Sequence, residues 1–252
     1  PVVQLRQVSK GFGGRLILDR GDLALAPGRI VVVVGPSGGG KSVLLDLVLG
    51  LLAPDAGRVE RPETVGMVFQ DGALFDDETV AANLAFPARR QPAAQREAAV
   101  ARAAEAVGLA PGHLAARPSQ LSGGLRKRAA IARALVQAPP VLLYDEPTAG
   151  LDAASSARVA QAILSARAQV PGQAALVVTH DYPFVARVAD EVLYLDPTAH
   201  RLVPLMTAAQ LAAHGDRAEA WPAIRDALEA FFAAEDPPPS EPGTARAGWL
   251  AH

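Results

Sequence analysis

The sequence predicts an α/β fold with one main domain. Three observations support it: short aliphatic runs typical of buried strands, longer segments with apolar residues at helical spacing, and a glycine-rich turn joining a strand to a helix. The predicted strands include residues 30–34, 65–69, 141–146, 173–178 and 191–195. The predicted helices include residues 43–52, 92–107, 125–137, 153–168 and 184–189. A chain of 252 residues is long enough for one such domain with a full core, and a split into two subdomains is the alternative.

Composition argues against several classes of function. No aliphatic run approaches the roughly 20 residues needed to cross a bilayer, so we expect no membrane span. The chain has no cysteine, which rules out disulfides and thiolate metal sites. The first residues lack the pattern of a secretory signal, although a processed terminus would look the same. A net charge of −2 gives no broad attraction for a polyanion, so we expect no nucleic-acid partner.

The N-terminal segment predicts strands around a glycine turn. Residues 2–8 and 16–18 fit a strand and its return, and residues 22–26 fit a further strand. Phe12 is an aromatic residue on the turn. A stacking platform for an adenine ring and a hydrophobic plug at a sheet edge explain it equally well.

The glycine-rich turn after residues 30–34 is the motif around which the chain is organised. It comprises Gly35, Pro36, Ser37, Gly38, Gly39, Gly40, Lys41 and Ser42. Between a strand and a helix this pattern predicts a site for a nucleotide triphosphate, because backbone N–H groups and the helix start both favour an anion. Lys41 is expected to neutralise the β- and γ-phosphates, and the Ser42 hydroxyl to ligate Mg²⁺. The alternative is a loop that only turns the chain.

Gln70 closes the strand predicted at 65–69, at the sheet edge where ligands bind in α/β proteins. It could therefore reach a metal or a water, and a solvated glutamine is the alternative.

From residue 71 to 117 the chain changes character and predicts a helical insert with its own surface. Its arginines fit a solvated basic face or a contact with an acidic partner. They are Arg89, Arg90, Arg96 and Arg102.

A second glycine motif, Ser122-Gly123-Gly124, directly precedes the helix predicted at 125–137. Such a helix start is a second anion-binding end, separated in sequence from the first. Taken in isolation, the stretch is better explained by a simple serine cap followed by flexible glycines.

Three further side chains at strand ends are candidates for chemistry. Asp145 can hold the Mg²⁺ shell, and Glu146 can polarise the attacking water as general base. The alternative is an acidic strand cap before a proline. His180 is poised to bond a γ-phosphate or the attacking water, unless it is an ordinary surface histidine.

The C-terminal part predicts helices at 207–214 and 217–232. The apolar face of the second helix must pack either on the main domain or on another subunit. The proline-rich end, 235–252, is expected to be extended or disordered.

The order of these motifs, together with the turn Gly150-Leu151-Asp152, resembles that of ABC-type ATPases up to about residue 195. The Leu-Ser-Gly-Gly sequence at 121–124 is specific to that superfamily. The resemblance implies a P-loop NTPase fold: a mixed core sheet flanked by helices, an N-terminal antiparallel β subdomain and a helical subdomain at about 71–138. The ATPase domain would span 1–206, followed by a helical extension at 207–234 and the tail at 235–252.

The resemblance also implies roles. The protein would be an ATPase that uses ATP and Mg²⁺ and acts as a head-to-tail homodimer. Ser122, Gly123 and Gly124 of one copy would close on the nucleotide held by the other. Phe12 would take the adenine-stacking position, Asp152 the dimer-contact turn and His180 the switch position.

A narrower resemblance rests on residues 68–76, 79–87 and 121–130, which are similar to ATPases of MCE-type phospholipid transport systems (the Mla group). That group carries an apolar residue, here Leu125, where most importer ATPases carry Gln. Two departures are a short 53–65 segment and Ala153 in place of the usual Pro.

This likeness implies a lipid-transport ATPase on a separate permease at the cytoplasmic face of the inner membrane. An MCE-domain lipid-binding protein and a small regulatory subunit would be further partners. The alternatives are an importer or exporter ATPase for another solute and, less favoured, a soluble ABC ATPase acting on nucleic acid or ribosomes.

Overall fold

The computed structural model describes residues 1–213, 222 and 226 of the chain. The strands are β1 (Val3–Phe12), β2 (Arg15–Leu25), β3 (Ile30–Val34), β4 (Ala56–Glu60), β5 (Val65–Val68), β6 (Val141–Asp145), β7 (Ala174–Thr179), β8 (Glu191–Asp196) and β9 (Arg201–Met206). The α-helices are α1 (Lys41–Leu49), α2 (Val80–Ala85), α3 (Ala93–Ala106), α4 (Pro111–Ala115), α5 (Gly123–Leu135), α6 (Ala153–Gln169), α7 (Tyr182–Val188) and α8 (Ala208–Ala213).

A six-stranded mixed sheet in the order β5-β6-β7-β3-β8-β9 forms the centre of the molecule. The first five strands are parallel, and β9 pairs antiparallel with β8. Every side chain of β3 is buried, because Ile30, Val32 and Val34 pack into one core and Val31 and Val33 into the other. Helices α5, α6 and α7 contribute to the first core. Helix α1 and a small antiparallel sheet, β2-β1-β4, contribute to the second.

The carboxyl edge of the parallel strands determines where the candidate residues lie. Val34 at the end of β3 pairs with Thr179 of β7, and Asp145 at the end of β6 pairs with Val178. The residues that follow these strands therefore meet at one edge, as is usual for ligand sites in open α/β sheets. Helices α2, α3 and α4 lie within residues 71–117, the segment that the sequence predicts to be a helical insert.

Three elements differ from the sequence-based prediction. The sequence predicts the strand at 191–195 to be the closing strand, but β9 follows it and forms the sheet edge. Pro204 argues against a strand at 201–206 in the sequence, yet an edge strand tolerates proline. The strands predicted at 16–18 and 22–26 form one continuous strand, β2. The first helix begins two residues earlier than predicted, at Lys41, and ends before Gly50, whose φ of 79° stops it.

The described residues include only part of the C-terminal segment for which helices are predicted. Helix α8 lies within the predicted 207–214 segment. The helix predicted at 217–232 and the proline-rich tail fall outside the described residues, apart from 222 and 226. In the part of the chain that the structure describes, no helix combines the length and hydropathy needed to cross a membrane.

Candidate active site

A cleft of about 350 Å³ lies where the phosphate loop meets the ends of β6 and β7. Its lining consists of Ile17, Ser37, Gly38, Gly40, Lys41, Ser42, Val43, Gln70, Asp145, Glu146 and His180. Gly40 has a φ of 98°, and a Cβ at this position would lie 2.5 Å from Cγ2 of Ile17. Only glycine therefore allows the loop to turn into α1 this close to β2.

Lys41 supplies the positive charge of the cleft. Its side chain is buried, and Nζ donates hydrogen bonds to the carbonyl oxygens of Gly35 (2.9 Å) and Pro36 (3.1 Å). The same nitrogen lies 3.3 Å from Oε1 of Glu146. A cation fixed beside exposed loop amides is suited to bind phosphate oxygens.

Glu146 is the most constrained carboxylate in the cleft. It is buried, and its φ of 44° is a strained value for a residue that is not glycine. Its Oε1 lies 3.0 Å from Nδ1 of His180, and its Oε2 accepts a hydrogen bond from the His180 backbone N–H at 3.3 Å. Together with Lys41, His180 fixes the direction in which this carboxylate points.

Asp145 and Ser42 form an oxygen pair that fits Mg²⁺. The Ser42 hydroxyl donates to Oδ2 of Asp145 at 3.3 Å. Burial and the neighbouring charge of Glu146 raise the pKa of Asp145, as expected for a carboxylate that a cation would stabilise. No group of three His, Cys, Asp or Glu side chains in the described residues could hold a metal alone. Because Mg²⁺ is usually held by one or two carboxylates plus substrate phosphates, Ser42 and Asp145, with the amide of Gln70, remain a suitable set.

A half-buried hydrogen-bond network around Asp181, the residue after His180, was missed by sequence reasoning. Oδ2 of Asp181 accepts hydrogen bonds from the hydroxyls of Thr148 (2.7 Å) and Ser156 (3.0 Å), and Oδ1 accepts one from the Phe184 backbone (3.1 Å). The network joins the loops after β6 and β7 to helix α6. The available signal was a second polar residue directly after His180, but its two hydroxyl partners are 33 and 25 residues away in the sequence.

The second glycine motif lies apart from the cleft. Ser122 caps α5 by accepting from the Leu125 N–H at 3.4 Å, and Asp152 caps α6 by accepting from the Ser155 N–H at 2.8 Å. A Cβ on Gly123 would lie 3.1 Å from the Leu151 side chain, so the two helix starts are neighbours. Gly123 and Leu151 line a second cavity of about 670 Å³, and Gln70 lines both cavities. Ser122, Gly123, Gly124 and Asp152 are not brought to the phosphate loop of their own chain.

Phe12 is not part of the cleft lining. Its side chain is 48% exposed at the end of β1, and the Lys10 ammonium lies 5.2 Å from the ring centroid. Ile17 of β2 does line the cleft, and sequence reasoning did not select it. The adenine-stacking role of Phe12 stays a prediction.

Comparison with known proteins assigns the family. The family model described as ABC transporter matches residues 18–149, just over half of the chain. The chain belongs to the ABC transporter family. The predicted fold is confirmed, and so is the prediction that this chain is an ABC ATPase with an ATP-binding site.

Relatives of this ABC ATPase serve different solutes. The aliphatic sulfonates import ATP-binding protein SsuB 1 of Pseudomonas fluorescens is 42% identical, over 77% of this chain and 73% of its own length. The Fe(3+) ions import ATP-binding protein FbpC 2 of Rhodococcus jostii is 39% identical over 79% of this chain. This chain spans only 60% of that protein's length. The intermembrane phospholipid transport system ATP-binding protein MlaF of Escherichia coli is 37% identical, over 77% of this chain and 78% of its own length.

Solved structures agree on the architecture. A dimeric post-hydrolysis state of the ATP-binding cassette MJ0796, bound to ADP and Pi, is 26% identical with a TM-score of 0.70. It covers 82% of this chain and 98% of that one. The cbiO1 structure from Clostridium perfringens, part of the complex cbiONQ, is 25% identical with a TM-score of 0.77. It covers 91% of this chain and 98% of its own.

Proposed function

We propose that this ABC ATPase hydrolyses MgATP as one copy of a head-to-tail homodimer that powers lipid transport through a separate permease. The observation that carries the hydrolytic role is the position of Glu146, a buried carboxylate held between the Lys41 ammonium and His180 at the edge of the phosphate loop. A base needs this placement beside the phosphate cradle to reach an attacking water.

Different residues of the cleft bind the phosphates, hold Mg²⁺ and accept the proton of the attacking water. The amides of the phosphate loop and Lys41 bind the β- and γ-phosphates, and Ser42, Gln70 and Asp145 provide oxygen ligands for Mg²⁺. Bound there, Mg²⁺ would neutralise charge on the phosphate oxygens. Glu146 accepts a proton from the water, and His180, through Nδ1, keeps the carboxylate aimed at it.

The homodimer proposal is supported by the separation of the two glycine motifs. Ser122 and Gly123 are exposed at the start of α5, where backbone N–H groups can meet an anion. Asp152 is exposed beside them, in position for a contact between copies. The MJ0796 cassette, a structural neighbour, has been solved as a dimer.

The proposed permease contact is an exposed aromatic patch on the helical insert. The rings of Phe75 and Phe86 are 44% and 45% exposed and meet edge to face, with centroids 4.9 Å apart. The buried Asn83 side chain fixes the Phe75 backbone, accepting from its N–H at 2.7 Å and donating to its carbonyl at 3.0 Å. The Arg89 guanidinium lies 4.3 Å from the Phe86 ring centroid, so the patch combines exposed aromatic rings with a positive charge, which supports an interaction site. Through this contact the ATPase would sit on the cytoplasmic face of the inner membrane.

The lipid substrate is supported by Leu125 after the second glycine of the motif and by the likeness to MlaF. An MCE-domain protein would then deliver or accept the lipid, and a small regulatory subunit would bind near the C-terminal end. A second candidate, import of another solute, is favoured by the higher identity to SsuB 1.

Purification of the intact assembly from membranes tests these alternatives. We expect mass spectrometry to find a permease, an MCE-domain protein and phospholipids enriched over the bulk membrane, and we expect phospholipid to stimulate ATP hydrolysis. Co-purification of a solute-binding protein, with stimulation by an aliphatic sulfonate or by ferric ions and none by lipid, would favour the importer. Recovery of nucleic acid without any membrane protein would contradict both.

A further inference from the structure

Lys127 connects the second glycine motif to the cleft. It lies on α5, about one turn after Ser122-Gly123-Gly124, and its ammonium donates a hydrogen bond to the backbone carbonyl of Gln70. Burial lowers the pKa of Lys127, while the carboxylates of Asp71, Glu146 and Asp145 favour its charged form. Hydrogen bonds from a cationic donor are stronger than neutral ones, so this contact is a firm attachment.

A second cation on α5 holds the other end of the same loop. The Arg133 guanidinium donates to the carbonyl oxygens of Gly72 (3.3 Å) and Ala73. Gly72 and Ala73 both have positive φ values, 76° and 48°, so the loop is a tight turn with little freedom to stretch. The backbone from Gln70 to Ala73 is therefore attached to α5 at both of its ends.

Gln70 is shared between the two cavities. It lines the cleft together with Ser42 and Asp145, and it lines the second cavity together with Gly123 and Lys127. Lys127 itself lines only the second cavity. A displacement of the start of α5 would thus reach the cleft through the Lys127 bond to Gln70.

We propose that Lys127 is a positioning residue that couples the two ATP sites of the dimer. By holding the Gln70 carbonyl, it makes the placement of the Gln70 amide beside Ser42 and Asp145 depend on where Ser122-Gly123-Gly124 sits. This inference rests on the proposed head-to-tail dimer. When the partner's nucleotide fixes the start of α5, Lys127 sets Gln70 in its own cleft, so the two sites act together.

Three variants of the full chain test the coupling. Lys127→Met removes the donor and the charge at similar length, and we expect kcat to fall about ten-fold or more, as for other small misplacements of catalytic groups. The Hill coefficient for MgATP should fall towards one. Affinity for a fluorescent ATP analogue should stay within about two-fold, because Lys127 does not line the cleft. Lys127→Arg keeps a cationic donor and should restore most of kcat and cooperativity. Arg102→Met, at an exposed position of α3, removes the same charge from the helical insert and should match wild type.

A double-mutant cycle tests whether Lys127 acts through Gln70. Gln70→Ala should lower kcat, and adding Lys127→Met to it should change kcat by less than about two-fold. Four results would each overturn the inference. Lys127→Met could keep wild-type kcat and cooperativity, or Lys127→Arg could lose as much kcat as Lys127→Met. Gln70→Ala could keep wild-type kcat, or the fold losses of kcat in the two single variants could multiply in the double variant. Lys127→Gln replaces the methionine variant if that one does not fold. A wild-type chain that hydrolyses ATP as a monomer would instead overturn the dimer itself, and the coupling with it.

Discussion

The phosphate-loop cleft and the second glycine motif hold their polar groups in opposite ways. In the cleft, Lys41 and Glu146 are only 6% and 8% exposed and pair with each other at 3.3 Å. At the second motif, Ser122 and Asp152 are exposed and cap the helices that they precede. The cleft carries the charged groups needed for chemistry. At the second motif, the exposed start of α5 leaves backbone N–H groups accessible to an anion on another molecule. The contrast shows that one chain holds a buried charged cleft and a separate, exposed helix start, an arrangement that fits the proposed head-to-tail dimer.

Glu146→Gln gives the largest effect that we expect in the cleft. Removal of a general base lowers kcat by about 10² to 10⁴-fold. ATP affinity should persist, because Lys41 and the loop amides remain, and the dimer should accumulate with MgATP. Phosphate release and light scattering after size exclusion measure the two results. Glu97→Gln, at an exposed position of α3, is the control. Normal turnover in Glu146→Gln would remove Glu146 from the role of base.

Ser122→Ala compared with Thr79→Ala isolates the role of the second motif. Both residues cap a helix through a hydroxyl, since Thr79 accepts from the Ala82 N–H at 3.2 Å as Ser122 accepts from Leu125. Each variant should lose about 1 kcal/mol of unfolding free energy, measured in urea. Only Ser122→Ala should also lose turnover, about three- to ten-fold, the worth of one hydrogen bond to nucleotide. Equal turnover in the two variants would mean that Ser122 is only a cap.

Phe12→Ala addresses the residue that the structure leaves outside the cleft lining. If Phe12 stacks on adenine, ATP affinity should fall by about 1 kcal/mol, roughly five-fold, while affinity for inorganic triphosphate stays unchanged. Leu16→Ala is the matched control, because Leu16 is an exposed apolar residue on the same hairpin. Loss of thermal stability with unchanged ATP affinity would favour the hydrophobic plug.

Sequence reasoning predicted the parts of the site that depend on local order. A strand, a glycine loop and a Lys-Ser pair are contiguous, so the motif places Lys41 and Ser42 between the strand and the helix, although the predicted helix begins only at residue 43. Asp145 could be placed for the same reason, because the end of a parallel strand is the edge of the sheet.

Contacts that depend on tertiary register could not be predicted. Ile17 approaches Gly40 from a strand whose pairing with β1 shifts register at several points, and the sequence pattern does not specify those shifts. Lys127 donates to the backbone carbonyl of Gln70, which is 57 residues away in the sequence. Every residue has a backbone carbonyl, so no residue type in the sequence indicates this contact. β9 was missed because Pro204 argues against a central strand, and only the fold shows that this strand lies at an edge.

The smallest expected effect is on thermal stability, and it compares Asp145 in the cleft with Asp152 beside the second glycine motif, whose pKa values shift in opposite directions. Burial and Glu146 raise the pKa of Asp145, so the folded chain binds more protons than the unfolded chain at this site, and its stability falls as pH rises through that window. Hydrogen bonds from the Ser155 backbone and hydroxyl lower the pKa of Asp152, so its contribution is present at neutral pH and lost as pH falls through the lowered value. With EDTA and no nucleotide, Asp145→Asn should therefore raise Tm at neutral pH. Asp152→Asn, which keeps a good capping residue, should lower it slightly. Both differences should shrink on acidification, and shifts of the same sign would contradict the opposite electrostatic environments of the two regions.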